Sequence, residues 1–293
     1  MQLTVAATQM ACTWDVETNV AIAEGLVREA AAAGANIVLI QELFETPYFC
    51  ISEKSGHFDL AHEVDGHPTL KRMQALAREL GVALPFSFFE KAGLAHYNSV
   101  IMIDADGSIA GHYRKSHIPD FPLYEEKFYF SPGDTGFRVF DTHFGRVGVA
   151  ICWDQWFPEA ARIMTLMGAE ILLYPTAIGS ELDKPEFDSK NHWQMTMRGH
   201  AAANILPVVA SNRIGRETDG ELMIDFYGSS FIADETGALL QEADRDTQGI
   251  LVHSFDLAKI AQYRREWGVF RDRRPDLYGP LLTLDGYTTP RNG

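Results

Sequence analysis

The sequence predicts an α/β fold in which helices are layered on sheets, and two observations support this class. Short apolar runs that favour strands alternate with segments of helical apolar spacing through both halves of the 293-residue chain. Residues 37–40 form a continuous apolar run, which is typical of a strand covered on both faces. A helical bundle and a pure β barrel do not fit this alternation. We expect one domain over residues 1–293, with 268–293 as a C-terminal arm.

The N-terminal half begins with a strand and then alternates helices with strands. Strands are expected over residues 3–8, 37–40, 82–88 and 97–103, followed by a returning strand that ends at 112–115. Helices are expected over residues 15–33 and 69–80, and Gly34 ends the first of them. Residues 116–136 are rich in proline and aromatic side chains. That segment is too long for a simple connection, so we expect it to line a site.

The C-terminal half repeats the alternation. Strands are expected over residues 137–140, 146–151, 171–174, 206–211, 229–232, 239–242 and 250–255. Helices are expected over residues 158–167, 191–204 and 257–267. The polar, proline-containing arm that follows is expected either to pack on a neighbouring subunit or to be disordered.

The net charge of the chain restricts its partners. The sequence has 25 Lys+Arg against 40 Asp+Glu, a net charge of -15, which disfavours nucleic acid and anionic membrane surfaces as partners. A cationic or neutral small molecule fits this charge better. The first residues show neither a basic segment before an apolar core nor a run long enough to span a membrane. We therefore expect a soluble, cytoplasmic protein.

The cysteine and histidine patterns argue against disulfides, metals and cofactors. Cys12, Cys50 and Cys152 are too few for a disulfide framework and suit a reducing compartment. The ten histidines form no His-Glu-x-x-His motif, and no Gly-rich phosphate loop follows an expected strand. We expect no bound metal and no cofactor.

Cys152 lies where an expected strand meets an expected helix. The buried strand stops at Cys152, and the helix begins at Pro158. Unpaired backbone N–H groups near such a thiol favour the thiolate and can hold an oxyanion, so Cys152 is a candidate nucleophile. Taken alone, this stretch fits a buried structural cysteine better. Residues elsewhere in the chain must decide.

Two further polar residues follow expected strands. Glu42 and Lys115 come at the C-terminal ends of apolar strands, as Cys152 does, and ligand sites of α/β sheets lie at those ends. Singly, each side chain is better explained as a solvated loop charge. Together they supply what a thiol hydrolase needs. The carboxylate can take the thiol proton and return it to a leaving amine, and the ammonium favours the thiolate and binds the developing oxyanion.

These residues belong to a set of fragments that spans nearly the whole chain. The fragments are Gln41-Glu42-Leu43, Tyr113-Arg114-Lys115-Ser116-His117, Tyr124-Glu125-Glu126-Lys127-Phe128, Gly148-Val149-Ala150-Ile151-Cys152-Trp153-Asp154, Phe157-Pro158-Glu159 and Arg273-Arg274-Pro275-Asp276-Leu277-Tyr278. Each fragment is a weak signal, but together and in this order they resemble the nitrilase superfamily of carbon-nitrogen hydrolases.

The resemblance implies a fold, a catalytic triad and an assembly. The fold is a four-layer α-β-β-α sandwich of the nitrilase type, and the triad is Glu42, Lys115 and Cys152. A second glutamate after the lysine matches Glu126 better than Glu125. The family assembles through the helix after the nucleophile and the C-terminal arm, so a homo-oligomer built from dimers is expected.

Within the superfamily, the chain most resembles amidases that release a diamine, carbon dioxide and ammonia from a carbamoylated diamine. The distal ammonium of such a substrate needs a carboxylate, and Glu181 is placed to provide one, with Asp120 as a second candidate. Trp153 and Tyr48 complete the expected substrate-binding set, although aromatic residues of this size are usually core. Both acids are also plausible as solvated loop residues.

Other functions remain open from the sequence. An ω-amidase or aliphatic amidase would use the same triad with a different pocket. A carbamoyl amino acid hydrolase is disfavoured, because D-amino-acid carbamoylases have arginines shortly after the nucleophile, where Gln155 and Trp156 stand here. A glutaminase-like module or a non-catalytic binding protein is disfavoured by the intact triad and by the lack of a partner domain. His117 is expected to hydrogen-bond within its loop rather than to act as a catalytic base.

Overall fold

The computed structural model describes residues 2–181 and 188–287, with the side chain of Glu181 outside the description. The strands are β1 (Gln2–Gln9), β2 (Ile37–Leu39), β3 (Leu84–Ala92), β4 (Ala95–Ile103), β5 (Ile109–Arg114), β6 (Arg138–Thr142), β7 (Gly145–Val149), β8 (Ile171–Pro175), β9 (Gly179–Glu181), β10 (Val208–Ser211), β11 (Ile214–Asp219), β12 (Leu222–Tyr227), β13 (Phe231–Ala233), β14 (Leu239–Glu242) and β15 (Gly249–Asp256). The helices are α1 (Val16–Ala32), α2 (Pro68–Leu80), α3 (Glu126–Tyr129), α4 (Pro158–Leu166), α5 (Lys190–Asn204) and α6 (Leu257–Trp267). Short 3-10 helices include Cys152–Trp156.

The first large sheet contains the N-terminal strands. β1 pairs antiparallel with β15 and parallel with β2, and β3, β4 and β5 follow as an antiparallel meander. The two groups are joined where Val38 N–H donates to the Ala83 carbonyl at 3.0 Å, just before β3 begins. The strand order across this layer is therefore β15-β1-β2-β3-β4-β5.

The second large sheet contains the strand that leads to Cys152. Its strand order is β14-β13-β10-β8-β7-β6, with β7, β8 and β10 parallel in the centre. A smaller sheet of order β11-β12-β9 completes the arrangement. The parallel centre explains why β7 and β8 are apolar throughout their buried residues, since both faces of a parallel sheet are covered.

Alternating side chains on the strands separate the layers. On β1, Val5 packs into the apolar cluster between the two large sheets, whereas Ala6 packs against α1 and α2. Val149, at the end of β7, also packs between the sheets, and Ala150 packs toward α4 and α5. This period of two gives the layer order helix, sheet, sheet, helix. The predicted four-layer α-β-β-α sandwich is confirmed.

Local signals place the helix ends close to where the sequence predicts them. Asp15 caps α1 by accepting a hydrogen bond from the Glu17 N–H, and Gly34 follows the helix with φ +92°. α2 begins at Pro68 and ends at Gly81, whose left-handed φ of +65° an L side chain rarely adopts. α4 begins at Pro158, as expected.

The structure contains elements that the sequence analysis did not assign. Helix α3 lies inside the 116–136 segment and has only four residues, too few to show a helical period. The hairpin of β11 and β12 was also missed, because charged residues interrupt its alternation of apolar and polar side chains. In the described part of the chain, no helix is both long and apolar enough to cross a membrane.

Candidate active site

Three strands of the two large sheets lead to one group of polar side chains. Glu42 follows β2, Lys115 follows β5 directly, and Cys152 follows β7. Glu126, the first residue of α3, joins them from the long segment between β5 and β6. The structure thus brings together all four residues that the sequence analysis assigned to catalysis.

Lys115 is at the centre of this group and has no solvent exposure. Its Nζ donates to Glu42 Oε1 at 2.9 Å and to Glu126 at 2.9 Å (Oε1) and 2.7 Å (Oε2). Burial disfavours the ammonium, but the negative charges of Glu126 and Glu42 outweigh that cost and raise the pKa of Lys115 well above its usual range. Lys115 is therefore an ammonium throughout the neutral pH range.

Glu126 is the second carboxylate that holds Lys115, and its pKa is raised. Tyr48 Oη donates to its Oε1 at 2.6 Å, in addition to the two contacts from Lys115. Burial raises the pKa of Glu126 to about 7, with the nearby charge of Glu42 adding to the rise and Lys115 opposing it. A proton on Glu126 is therefore gained or lost near neutral pH.

Glu42 has one bound and one unbound oxygen. Its Oε1 accepts from Asn98 Nδ2 at 2.6 Å and from Lys115 Nζ at 2.9 Å. Its Oε2 is buried and has no hydrogen-bond partner among the described residues. The bound oxygen fixes the carboxylate, and the other oxygen is left as an acceptor for a proton.

Cys152 has an unusual backbone and a protonated thiol. Its φ is +41°, which bends the chain between β7 and the 3-10 helix Cys152–Trp156, and its Sγ lies 3.6 Å from the Ala177 carbonyl oxygen. Burial and the carboxylate of Glu42 raise the pKa of the thiol well above its ordinary value, although Lys115 opposes this. The expectation that this position favours a resting thiolate is therefore wrong.

Asp154 fixes the bend that presents Cys152. Its Oδ2 accepts from the Ile151 N–H at 3.0 Å and from Tyr113 Oη at 2.7 Å, while Oδ1 accepts from the His117 N–H at 3.0 Å. The His117 ring also lies 2.7 Å from Asp154 Oδ1 and stacks on Phe157. His117 contacts this loop carboxylate, which matches its expected hydrogen-bonding role.

A cavity of about 260 Å³ opens onto Cys152 and Glu126. Its lining is mainly aromatic and apolar. The lining residues are Pro119, Phe121, Tyr124, Glu126, Cys152, Trp153, Gln155, Trp156, Ala177, Ile178, Gly179, Ser189 and His192. Such a volume suits a small organic substrate with an aliphatic chain.

Gln155 is one of the residues that line this cavity, and its side-chain amide has a fixed orientation. Its Oε1 accepts from Trp193 Nε1 at 2.8 Å and from Thr176 Oγ1 at 3.1 Å. Because an indole nitrogen only donates, these contacts fix the orientation of the amide. The Nε2 of Gln155 is buried, and no described residue accepts from it.

The expected substrate-binding residues lie in different places. Trp153 lines the cavity. Tyr48 does not line the cavity, because it is fully buried and its hydroxyl donates to Glu126. Asp120 is exposed, with Oδ2 3.9 Å from Lys127 Nζ, and does not line the cavity either. The backbone of Glu181 pairs with Ile224 at the end of β9, but its side chain lies outside the described residues.

Two residues that contact the Glu42 region were missed. Asn98 lies within β4, and Arg213 lies between β10 and β11. Neither lies in a motif that indicates a site. Across residues 2–181 and 188–287, no group of three or more His, Cys, Asp or Glu side chains is arranged to hold a metal ion.

Comparison with known sequences relates the chain to enzymes that cleave carbon–nitrogen bonds. The family profile described as carbon-nitrogen hydrolase matches residues 4–265. An N-carbamoylputrescine amidase of Arabidopsis thaliana is 60% identical over 289 residues, 97% of each chain. A citrullinase of Francisella tularensis is 54% identical over 278 residues, 95% of this chain and 97% of the relative.

A solved structure agrees with these sequence relationships. The crystal structure of a carbon-nitrogen hydrolase from Helicobacter pylori G27 is similar, with a TM-score of 0.92 and 41% sequence identity. The similarity covers 97% of this chain and 99% of the other.

Proposed function

The chain belongs to the carbon-nitrogen hydrolase family, and on that premise we propose that it hydrolyses N-carbamoylputrescine to putrescine, carbon dioxide and ammonia. The observation that carries the proposal is the geometry around Lys115, which joins Glu42 and Glu126 beside a cavity that contains Cys152. The 60% identity to a plant N-carbamoylputrescine amidase supports the substrate.

In the proposed reaction, Cys152 is the nucleophile and Glu42 is the general base. The sulfur attacks the ureido carbonyl carbon, the thiol proton passes to Glu42 Oε2, and the carbonyl electron pair moves to oxygen. Collapse of the adduct breaks a C–N bond, and the proton leaves with the nitrogen. The loss of that nitrogen, as ammonia or as putrescine, leaves a thiocarbamate on Cys152, and water loses a proton to Glu42 as it attacks the thiocarbamate carbon. The C–S bond then breaks as Glu42 returns the proton to the sulfur, and the released carbamate breaks down to carbon dioxide and the other nitrogen product.

The raised pKa of Cys152 supports this order of events. A thiol that is protonated at rest needs a base in contact with the reaction, and Glu42 has a buried oxygen with no partner among the described residues. Lys115 supplies the positive charge that stabilises the oxyanion, and Glu126 holds Lys115 in place through two oxygens.

The proposed position of the distal ammonium depends on β9. Gly179, the first residue of β9, lines the cavity, and Glu181 is the third residue of the same strand. We propose that the Glu181 carboxylate binds the ammonium of the substrate in a charge-assisted hydrogen bond.

Citrulline is the second candidate substrate, since it is a ureido compound with an added α-carboxylate. The citrullinase with 54% identity over 95% of this chain favours it. The two substrates share the reactive ureido group, so they differ only in what the far end of the cavity binds.

The test is ammonia release from a matched set of substrates. N-carbamoylputrescine should be turned over with the highest kcat/KM, ahead of citrulline, N-carbamoyl-β-alanine, a neutral ω-amide and n-pentylurea, in which a methyl group replaces the ammonium. A higher kcat/KM for citrulline would transfer the assignment to that substrate. Highest activity on the neutral ω-amide would favour an ω-amidase.

We also propose that the protein is a homo-oligomer built through α4 and the C-terminal arm. Ile163 and Leu166 on α4 are exposed, and Leu281 and Leu282 of the arm line the same apolar depression. Light scattering at micromolar concentration should show at least a dimer, and Leu166→Asp should weaken it. Leu94→Asp, at an exposed turn, is the matched control. A monomeric wild-type protein would contradict the proposal.

A further inference from the structure

A buried arginine lies behind the loop that carries Glu42. Arg213 has no solvent exposure and lies between β10 and β11. Its Nη2 donates to the carbonyl oxygens of Glu42 at 2.7 Å and Leu43 at 3.1 Å, and its Nη1 donates to that of Thr46 at 3.3 Å. One guanidinium therefore binds three carbonyls of a single turn, a geometry that the planar fork of arginine permits and a lysine cannot reproduce.

The backbone of that turn needs such support. Leu43 has φ +49°, a left-handed conformation that is unfavourable for a residue with a side chain. The turn places the Glu42 carboxylate between Asn98 and Lys115. A change in the turn would therefore move the carboxylate relative to both partners.

Glu217 connects Arg213 to the second carboxylate of the site, that of Glu126, through Tyr48. Its Oε1 accepts from Arg213 Nη1 at 2.7 Å, and its Oε2 accepts from the Tyr48 N–H at 2.5 Å. The Tyr48 hydroxyl donates to Glu126 Oε1 at 2.6 Å. The chain of contacts thus runs from Glu42 through Arg213, Glu217 and Tyr48 to Glu126.

We propose that Arg213 and Glu217 form a positioning pair that sets the separation of the Glu42 and Glu126 carboxylates on either side of Lys115. The proposal rests on the catalytic roles proposed above for Glu42 and Glu126. Both members of the pair are buried, and neither lines the cavity, so they act through the groups they hold and not on the substrate.

The burial of this ion pair has a desolvation cost, which indicates that the pair has a role other than stability. An ion pair removed from water gains little net stability over apolar residues of similar volume. Arg213 immediately precedes β11, and Glu217 lies within it, four residues later. Two apolar side chains at these positions could fill the same space. What an apolar contact cannot supply is hydrogen bonds to three carbonyls and to the Tyr48 N–H.

The test uses two conservative variants, Arg213→Lys and Glu217→Gln. Lysine keeps the charge but cannot span the turn, and glutamine keeps only one of the two acceptor oxygens. Arg216→Lys and Glu221→Gln are matched controls, since both are exposed residues of the same hairpin. Circular dichroism and Tm establish that each variant is folded.

Two readouts separate positioning from a merely structural role. The first is kcat and KM for N-carbamoylputrescine, where we expect kcat to fall by about ten- to a hundred-fold with KM changed less than about three-fold. The second is the pH profile of Cys152 alkylation by iodoacetamide, measured without substrate. Displaced carboxylates raise the thiol pKa less, so we expect the profile to move to lower pH by about half a unit or more.

The outcomes are distinct. A lower Tm with wild-type kcat, or with an alkylation profile that superimposes on that of the wild type, would overturn the positioning role. Failure of the wild-type enzyme to hydrolyse any ureido substrate would overturn the proposed function instead. In that case the alkylation profile alone decides whether Arg213 and Glu217 position the carboxylates.

Discussion

Lys115 and Glu126 form an ion pair without solvent exposure, in which Nζ lies 2.9 Å from Oε1 and 2.7 Å from Oε2. Two contacts to one carboxylate fix the direction of the ammonium as well as its distance. Glu42 binds the same ammonium with a single oxygen at 2.9 Å. This difference matches the proposed roles of the two carboxylates, because Glu126 holds Lys115 and Glu42 keeps an oxygen for proton transfer.

Glu126→Gln should remove most turnover while Glu125→Gln should keep it. Glutamine cannot accept from Lys115 with both oxygens, so the ammonium loses its fixed direction. Glu125 is partly exposed and immediately precedes Glu126, which makes it a matched control. The measurement is kcat on N-carbamoylputrescine. A Glu126→Gln enzyme with wild-type kcat would refute the role.

The stability of Glu126→Gln, measured relative to the wild type, should increase as the pH rises. The folded-state pKa of Glu126 is raised from 4.5 to about 7, so the protonated form contributes stability that is fully present below about 4.5 and is lost as the pH rises through about 7. At pH 8 the wild type has lost this contribution, whereas glutamine, which does not titrate, has nothing to lose. The Tm of Glu126→Gln relative to wild type should therefore be higher at pH 8 than at pH 5. A difference that does not change with pH would argue against the raised pKa.

Cys152→Ser should fold normally and lose nearly all turnover, because a serine hydroxyl is a much poorer nucleophile than a thiol. Iodoacetamide should label Cys152 ahead of Cys12 and Cys50, since Cys152 lines the cavity, Cys50 is fully buried and the Cys12 Sγ is held between the Phe44 carbonyl and the Gln41 amide. Peptide mass spectrometry after limited alkylation measures the order. Because the Cys152 pKa is also raised, labelling should accelerate with rising pH. Retention of wild-type turnover by Cys152→Ser would end the mechanism.

Glu42→Gln and Lys115→Met should each lower kcat by about 10²–10³ and change substrate affinity much less. Glutamine at 42 can still accept from Asn98 and Lys115, so this variant tests the base with little change in packing. Methionine at 115 leaves two buried carboxylates without their cation, so its Tm must be measured beside its kinetics. A variant that keeps most of its kcat would lose its assigned role.

The strand ends could be predicted because they depend on local patterns. β2 and β7 belong to apolar runs that lead to Glu42 and Cys152, and Lys115 directly follows β5. The rule that sites lie at the carboxyl ends of strands brings these three residues to one region. The helix limits followed from helical apolar spacing and from signals such as Gly34 and Pro158. These predictions need no knowledge of contacts between distant residues.

What the sequence could not supply depends on long-range contacts. The pKa of the Cys152 thiol is raised by burial and by Glu42, which lies 110 positions earlier in the sequence. Tyr48 was expected at the substrate, but its hydroxyl is used by Glu126. Asn98 and Arg213 are single residues without a motif, and only the fold places them against Glu42.

Substrate specificity gives the last prediction, and it concerns Glu181. A substrate whose ureido carbon lies at Cys152 extends its four-carbon chain along the cavity, and β9 begins at a residue that lines the cavity. Glu181→Gln removes the proposed counter-charge of the distal ammonium, a loss of about 2 to 5 kcal/mol if the pair is buried. The kcat/KM for N-carbamoylputrescine should therefore fall sharply.

The matched substrates and a control variant make this prediction specific. The kcat/KM of Glu181→Gln for n-pentylurea should change little, because that substrate has no ammonium, and alkylation of Cys152 should remain normal. Glu221→Gln, at the exposed turn between β11 and β12 of the same small sheet, should keep wild-type kcat/KM on both substrates. Equal losses of Glu181→Gln on both substrates would mean that Glu181 supports the fold or the triad. The preference for a cationic substrate would then rest on sequence similarity, and citrulline, which the similarity to a citrullinase favours, would become the substrate to test first.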